Sequence, residues 1–184
     1  METVQDTPES LYRHAARHGG MVGALMVMVT IVVYMISISF MGSLWFVLLA
    51  FAFYIGYVIW AGIGYRNATG GYLSFGKAFL HGFGVLAVAS FINLLFGLLL
   101  YQVIDPDLAT NLVDAIISNT EESMRNFGAP EDRIEEQVAG MRSSMGDNFT
   151  PLGQVKNYFT GLIWNAVLVL ITSLVVRKSE PVEM

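Results

Sequence analysis

The N-terminal third of the chain contains one long hydrophobic run. From Met21 to Tyr65 there are 45 residues without an Asp, Glu, Lys, Arg or His. A helix of that length would measure roughly 68 Å, whereas the hydrocarbon core of a bilayer is about 30 Å thick. The run therefore predicts two membrane helices, at about residues 19–40 and 43–64, joined by a tight turn at residues 41–43.

Two later apolar stretches predict further spans, at about residues 75–103 and 156–176. The loop before the third span contains Gly70-Gly71, and glycine readily takes the positive φ of a tight turn. Ser74 then offers an N-cap for that span. Residues 1–18 are polar, and we expect a short interfacial helix there that leads into the first span.

Residues 104–154 form the one long polar segment. It contains ten acids and three bases, a local net charge of −7. Apolar residues recur at helical spacing in two stretches of this segment, separated by Gly128-Ala129-Pro130. The second stretch carries the stripe Ile134, Val138, Met141 and Met145, and Gly146 and Pro151 should end it. This pattern predicts a helical hairpin with an acidic outer surface and an apolar inner face.

The fold class expected from these elements is all-α. We predict a single membrane domain, residues 1–184, built as an integral membrane four-helix bundle with an extracytoplasmic helical hairpin between spans three and four. Only 14% of the residues are charged, against about 25% in soluble domains, which agrees with a chain lying mostly in lipid. The net charge of −5 gives no indication of a nucleic-acid partner. The chain has no cysteine, so disulfides and thiol chemistry are excluded.

The basic residues predict the orientation in the membrane. Six bases lie in the short flanks on one side, and the opposite turn at 41–43 has none: Arg13, Arg17, Arg66, Lys77, Arg177 and Lys178. Cytoplasmic flanks are enriched in Lys and Arg. We therefore expect a multi-pass protein with both termini in the cytoplasm and the acidic segment on the other side.

Two asparagines are expected near the middle of the membrane. Asn93 and Asn165 each lie nine or ten residues from the same end of their predicted spans. A buried amide in lipid needs a hydrogen-bond partner, so we interpret them as an intramembrane polar pair that joins spans three and four. The alternative is that they line a path for a polar substrate.

Arg66, Lys77 and His81 form a candidate anion site. Lys77 and His81 are one helical turn apart at the start of span three, where backbone N–H groups favour anions. They could contact a lipid phosphate, and the alternative is ordinary basic flanking of a span. His14 and His18 have i, i+4 spacing that suits a metal, but the sequence offers no third ligand beside them. We therefore predict no metal site.

The sequence gives no sign of catalytic chemistry. No Asp, Glu or Arg lies in the middle of a predicted span, and no span contains a proline. Proton relays and ion-coupled sites typically need such charges, and broken-helix transporters need such breakpoints. We therefore predict a protein that is not an enzyme, with no catalytic residues and no cofactor.

The linker between spans two and three resembles the hallmark of a bacterial membrane family. Residues 65–79 read Tyr-Arg-Asn-Ala-Thr-Gly-Gly-Tyr-Leu-Ser-Phe-Gly-Lys-Ala-Phe. In domain of unknown function 4199, a tyrosine–arginine pair, a double glycine and a serine-phenylalanine-glycine-lysine run link the second and third spans. The order of spans and the Asp105-Pro106 after span three also fit this family over residues 11–178. The resemblance implies a bacterial inner membrane and supplies no substrate.

The expected function is a non-enzymatic scaffold, accessory or assembly role that acts through the outer helical loop. The lipid bilayer is one expected partner, and a second copy of the chain or another membrane protein is the other. The alternative function is an oligomeric transport or channel component, with Asn93 and Asn165 near the pathway.

Overall fold

The computed structural model describes residues 9–180, and they form an all-α membrane bundle, as predicted. The α-helices in this part of the chain are α1 (Leu11–Ile36), α2 (Ile38–Met41), α3 (Leu44–Ala68), α4 (Phe75–Leu99), α5 (Leu108–Asn126), α6 (Glu131–Ser144) and α7 (Pro151–Val176). A π-helical turn, Leu100–Ile104, extends α4, and a 3₁₀ turn, Gly146–Phe149, precedes α7. Helices α1, α3, α7 and the extended α4 are long and apolar enough to cross a membrane.

Two spans begin earlier than the sequence pattern predicted. Helix α1 is continuous from Leu11, so the described part of the expected interfacial helix belongs to the first span, while residues 1–8 lie outside the described part. The Ser10 hydroxyl caps α1 by accepting from the Arg13 backbone N–H at 3.4 Å. Helix α7 begins at Pro151, because Thr150 caps it and proline suits the first helical position. Pro151 thus starts a helix rather than only ending the preceding one.

Serines define the turn between the first two spans. Ser37 is extended, and its hydroxyl accepts from the Phe40 N–H at 3.1 Å to start the single turn α2. The Ser43 hydroxyl accepts from the Phe46 N–H at 3.2 Å and caps α3. These caps satisfy backbone donors at a chain reversal that has no charged residue.

Helix α4 lies at the centre of the bundle and contacts α1, α3 and α7. Its packing with α1 depends on glycine. A Cβ at Gly19 would lie 2.7 Å from the Val85 carbonyl oxygen, and one at Gly23 would lie 3.1 Å from the Ala89 Cα. These close approaches bury Val22, Val85 and Ala89 completely in the core. The small residues of the first span therefore permit helix contact within one chain.

The bundle has two distinct ends, which we name the terminal end and the hairpin end. At the terminal end, residues 69–74 meet the segment after α7, and the backbones of Leu73 and Lys178 exchange two hydrogen bonds of 2.9 Å. Gly70 and Gly71 have φ of +96° and +85° in this linker, as the turn requires. At the hairpin end, α5 and α6 contact each other, and α5 also contacts α2. The predicted helical hairpin is therefore confirmed.

Candidate functional site

All three histidines of the chain meet near the terminal end of the bundle. His14 and His18 lie on α1 and are buried, and His81 on α4 is 0% exposed. We expected no third ligand beside the first two, and the fold corrects this by packing α4 against α1. The spacing in the sequence offers a signal for this cluster. His14 and His18 recur every four residues with Val22 and Met26, and all four are buried on one face of α1. Buried positions on α4 likewise include His81 and Val85.

Hydrogen bonds and ring contacts organise this histidine cluster. His14 Nδ1 and His81 Nε2 are 2.8 Å apart, so one of them donates and the other accepts. His18 Nδ1 is 3.1 Å from the Tyr57 hydroxyl of α3, and the ring of Tyr65 stacks on His81 at 5.2 Å. The cluster therefore ties α1 to both α3 and α4.

The geometry of the cluster is that of hydrogen bonding rather than metal ligation. His14 Nδ1 and His81 Nε2 are directed at each other, and the rings of His14 and His18 stack 4.3 Å apart. In residues 9–180, no group of three His, Asp or Glu side chains is arranged to hold a metal ion. One polar atom in the cluster, His81 Nδ1, is buried with no hydrogen-bond partner among these residues.

The predicted anion group of Arg66, Lys77 and His81 is divided by the fold. His81 belongs to the buried histidine cluster, and Arg66 donates from Nη1 to the Val176 carbonyl at 3.0 Å. Lys77 is exposed and lines a different cavity of about 450 Å³ together with Lys178. In the sequence, Lys178 contributes only to the charge bias that predicts the topology. Its place in the same cavity as Lys77 depends on the Leu73–Lys178 backbone pair, which no local pattern indicates.

Asn93 and Asn165 each bond to a different partner. Asn93 donates to the Tyr54 hydroxyl of α3 at 3.2 Å, and also to the Ala89 carbonyl. Asn165 donates to the Ser90 hydroxyl of α4 at 3.0 Å. The two amides line one cavity of about 240 Å³, so they lie on the same side of the bundle without pairing directly. Each of them joins two helices, as buried amides in lipid are expected to do.

A second cavity, also of about 240 Å³, continues from the asparagines towards the hairpin end. Ser90 and Asn165 line both cavities, and Gln154, Asn157 and Tyr158 line the second. Polar side chains therefore follow the α4–α7 groove from the hairpin end to the middle of the bundle.

The hairpin is fastened to the membrane helices at several points. The Tyr34 hydroxyl of α1 donates to Asp105 Oδ2 at 2.8 Å, and Asp105 Oδ1 accepts from the Leu108 N–H that starts α5. Further along α5, Asn119 donates to the Ser39 carbonyl at 2.9 Å. A Cβ at Gly42 would lie 3.1 Å from Ile116, so α5 packs closely on the turn between the first two spans.

The interior of the hairpin is apolar and its surface is acidic. Ile117 of α5 and Ile134 of α6 are each 2% exposed, whereas Val138 is only half-buried. Arg142 pairs with Asp114 at 3.3 Å between the two helices. Glu131 accepts from Arg125 at 3.1 Å, and this hydrogen bond raises the pKa of the Arg125 guanidinium. Of the ten acids, the eight others form no ion pair within residues 9–180.

Comparison with known proteins identifies a family without a known activity. No curated protein and no solved structure gave a match to this chain. The sequence matches the family described as Protein of unknown function (DUF4199) over residues 17–178. That range includes the four candidate membrane helices almost completely, and the resemblance predicted from the linker motif is confirmed. This chain therefore belongs to the DUF4199 family and is a multi-pass membrane protein.

Proposed function

We propose that this protein is a non-enzymatic membrane scaffold whose α5–α6 hairpin binds a basic segment of a partner protein. The observation that carries the proposal is that the hairpin is held firmly against the bundle while most of its acids have no counter-ion among residues 9–180. A rigid, charged surface of this kind suits recognition of a partner better than it suits catalysis.

The attachment of the hairpin reduces the entropy cost of binding. Its first helix is fixed at Asp105 by Tyr34, and at Asn119 by the backbone of Ser39. Close packing at Gly42 restrains the middle of the same helix. A surface held in one conformation loses little freedom when a partner binds, and this improves affinity.

The charge of the hairpin determines the chemistry of the partner. The segment 104–154 has a net charge of −7. Five of the eight acids in it that form no ion pair within residues 9–180 lie on α5 or α6: Glu121, Glu122, Asp132, Glu135 and Glu136. An acidic surface attracts a basic one, speeds the encounter and repels anionic lipid headgroups. A Lys- or Arg-rich protein segment therefore fits this surface better than the membrane surface does.

The proposed location is the outer side of a bacterial inner membrane, with both termini in the cytoplasm. The short flanks at the terminal end contain six Lys or Arg residues, and the turn at 41–43 contains none. This bias favours a cytoplasmic terminal end. The hairpin would then meet partners outside the cytoplasm.

Site-specific photo-crosslinking in the native membrane tests the proposal. A photoreactive residue at Gln137, on the exposed face of α6, should give a discrete adduct, while one at Asn67, at the terminal end, should not give the same adduct. The double variant Glu135→Gln and Glu136→Gln, which removes the two negative charges next to residue 137, should reduce the yield of the adduct at that position several-fold. Neutralising Lys156 instead should leave it unchanged. An adduct that persists after the acids are removed would contradict recognition of a basic partner.

The second candidate function is an oligomeric transport or channel component. The observation that favours it is the pair of cavities that share the polar side chains Ser90 and Asn165. If water enters this groove, Asn165→Cys should react with a small membrane-impermeant thiol reagent, and Leu170→Cys on the exposed apolar surface of α7 should not. Equal failure of both positions to react would remove the basis of this candidate.

A further inference from the structure

We propose that the cavity at the terminal end binds the phosphodiester of an anionic phospholipid through Lys77 and Lys178. We name it the lysine pocket and define it by Thr69, Tyr72, Ser74, Lys77, Lys178 and Glu180, which all line it. It lies at the opposite end of the bundle from the hairpin, so this inference is independent of the proposed scaffold function.

The pocket is assembled from segments that are distant in the sequence. Lys77 lies in the first turn of α4, and Lys178 follows α7. The backbone pair between Leu73 and Lys178 brings the two segments together with two hydrogen bonds of 2.9 Å. The Lys178 ammonium lies 5.5 Å from the centre of the Tyr72 ring, a cation–π distance that holds this side chain at the pocket. The site is therefore built by the tertiary fold, not by a run of adjacent basic residues.

The charges of the pocket match a ligand with one negative charge. Two lysines and one glutamate line it, which gives a formal net charge of +1. Among residues 9–180, neither lysine lies within ion-pair distance of a carboxylate, Glu180 included. A phosphodiester carries one negative charge and would supply a counter-ion for both lysines. The hydroxyls of Tyr72 and Ser74 add donors of the kind that phosphate oxygens and headgroup polyols accept, whereas the Thr69 hydroxyl already donates to the Tyr65 carbonyl at 3.0 Å.

The start of α4 favours the same ligand. Ser74 is the N-cap of this helix but makes no side-chain capping hydrogen bond, so the first backbone N–H groups of α4 remain available. The positive end of the helix dipole lies there too, and anions bind favourably at such positions. This contribution supplements the two lysines and does not depend on either of them.

The position of the pocket favours a lipid over free phosphate. It lies at the end of the membrane-crossing helices, where lipid headgroups are found. One turn deeper on the same two helices, Leu80 is 47% exposed and Val175 is 57% exposed. A lipid whose phosphate binds the lysines could therefore lay its acyl chains along these apolar side chains. Lysine is well suited to this depth, because its stem packs on apolar surface while its ammonium reaches the headgroups.

The test measures lipid binding to the purified full-length protein by native mass spectrometry. The protein is released from detergent that contains equal amounts of phosphatidylglycerol and phosphatidylcholine. We expect selective retention of phosphatidylglycerol. The double variant Lys77→Gln and Lys178→Gln should weaken that retention about 30-fold, because each lysine near an anionic lipid surface contributes about fivefold. The double variant Lys77→Arg and Lys178→Arg should retain it, since the charge is kept.

Matched controls make each outcome decisive. Lys156→Gln removes one positive charge at the start of α7, remote from the pocket, and should change retention little. Glu180→Gln removes the carboxylate that lines the pocket and should strengthen retention, since that carboxylate repels the phosphodiester. Inorganic phosphate at millimolar concentration should not displace the lipid. The proposal is overturned if the two Lys→Gln changes act no more strongly than Lys156→Gln, if phosphatidylcholine is retained equally, or if inorganic phosphate competes fully.

Discussion

The close contact between α1 and α4 makes a single methyl group at Gly19 a sensitive probe of the bundle. A Cβ there would lie 2.7 Å from the Val85 carbonyl oxygen and 2.7 Å from the Val88 Cβ. The neighbouring Gly20 provides a matched control, because a Cβ at that position meets no atom within 4 Å. We therefore predict that Gly19→Ala destabilises the protein and that Gly20→Ala does not.

The magnitude follows from the distances. Carbon–oxygen contacts are normally about 3.3 Å or longer, so α1 would have to move away from α4 by roughly 0.6 Å. The obstacle at Val85 is backbone, which cannot rotate aside as a side chain can. Overpacking of this kind costs about 1–3 kcal/mol. The gain in helix propensity from Gly to Ala, up to about 1 kcal/mol, is common to both variants and cancels in their comparison.

Thermal unfolding in a mild detergent, followed by the helical circular dichroism signal, measures this difference. A difference of 1–3 kcal/mol should place the Tm of Gly19→Ala roughly 2–12 °C below that of Gly20→Ala, by the scaling for domains of this size. Equal Tm values for the two variants, or a higher value for Gly19→Ala, would refute the close packing of α1 on α4.

Three further tests address other contacts. Asn93→Leu and Tyr54→Phe should each destabilise the bundle, because each removes the hydrogen bond between these side chains. A double-mutant cycle in the same assay should give a coupling free energy of about 0.6–2 kcal/mol, and a value of zero would contradict that hydrogen bond. His14→Leu and His81→Leu should each lower the free energy of unfolding by about 1–3 kcal/mol, because each leaves a ring nitrogen without its partner. The double variant should lose less than the sum of the two single losses, and strict additivity would argue against the His14–His81 hydrogen bond. Ile134→Asp should make the hairpin sensitive to limited proteolysis, since loss of a buried isoleucine side chain alone costs about 2–5 kcal/mol of stability. An unchanged cleavage pattern would mean that the α5–α6 interior is not a packed core.

The membrane helices and the hairpin could be predicted because their signals are local. Uncharged runs long enough to span a bilayer identify the spans, and apolar spacing identifies the two helices between residues 104 and 154. The start of the first span was harder to predict: because residues 11–18 are mostly polar, we expected a separate interfacial helix there, whereas α1 is continuous from Leu11. The buried face of the first turns of α1 carries His14 and His18, and a hydropathy scale counts histidine as polar, so it does not indicate that this face is buried.

The contacts between helices could not be predicted, because they depend on which helices lie side by side. Spacing alone cannot distinguish Gly19, which faces α4, from Gly56, where an added Cβ would meet no atom within 4 Å in the described structure. The same limitation applies to the candidate sites. His81 bonds to His14 because α4 packs centrally against α1, and Lys77 lines a cavity with Lys178 because residue 73 pairs with residue 178.

We propose that the bundle displays its acidic hairpin on the extracytoplasmic side of the membrane, opposite the terminal end. The absence of native cysteine allows a direct measurement with single introduced cysteines in intact spheroplasts. A membrane-impermeant thiol reagent should label Ser118→Cys on α5 and Ser143→Cys on α6, both exposed positions, and should not label Asn67→Cys at the terminal end until the membrane is opened. Labelling of Asn67→Cys alone in intact spheroplasts would contradict the account.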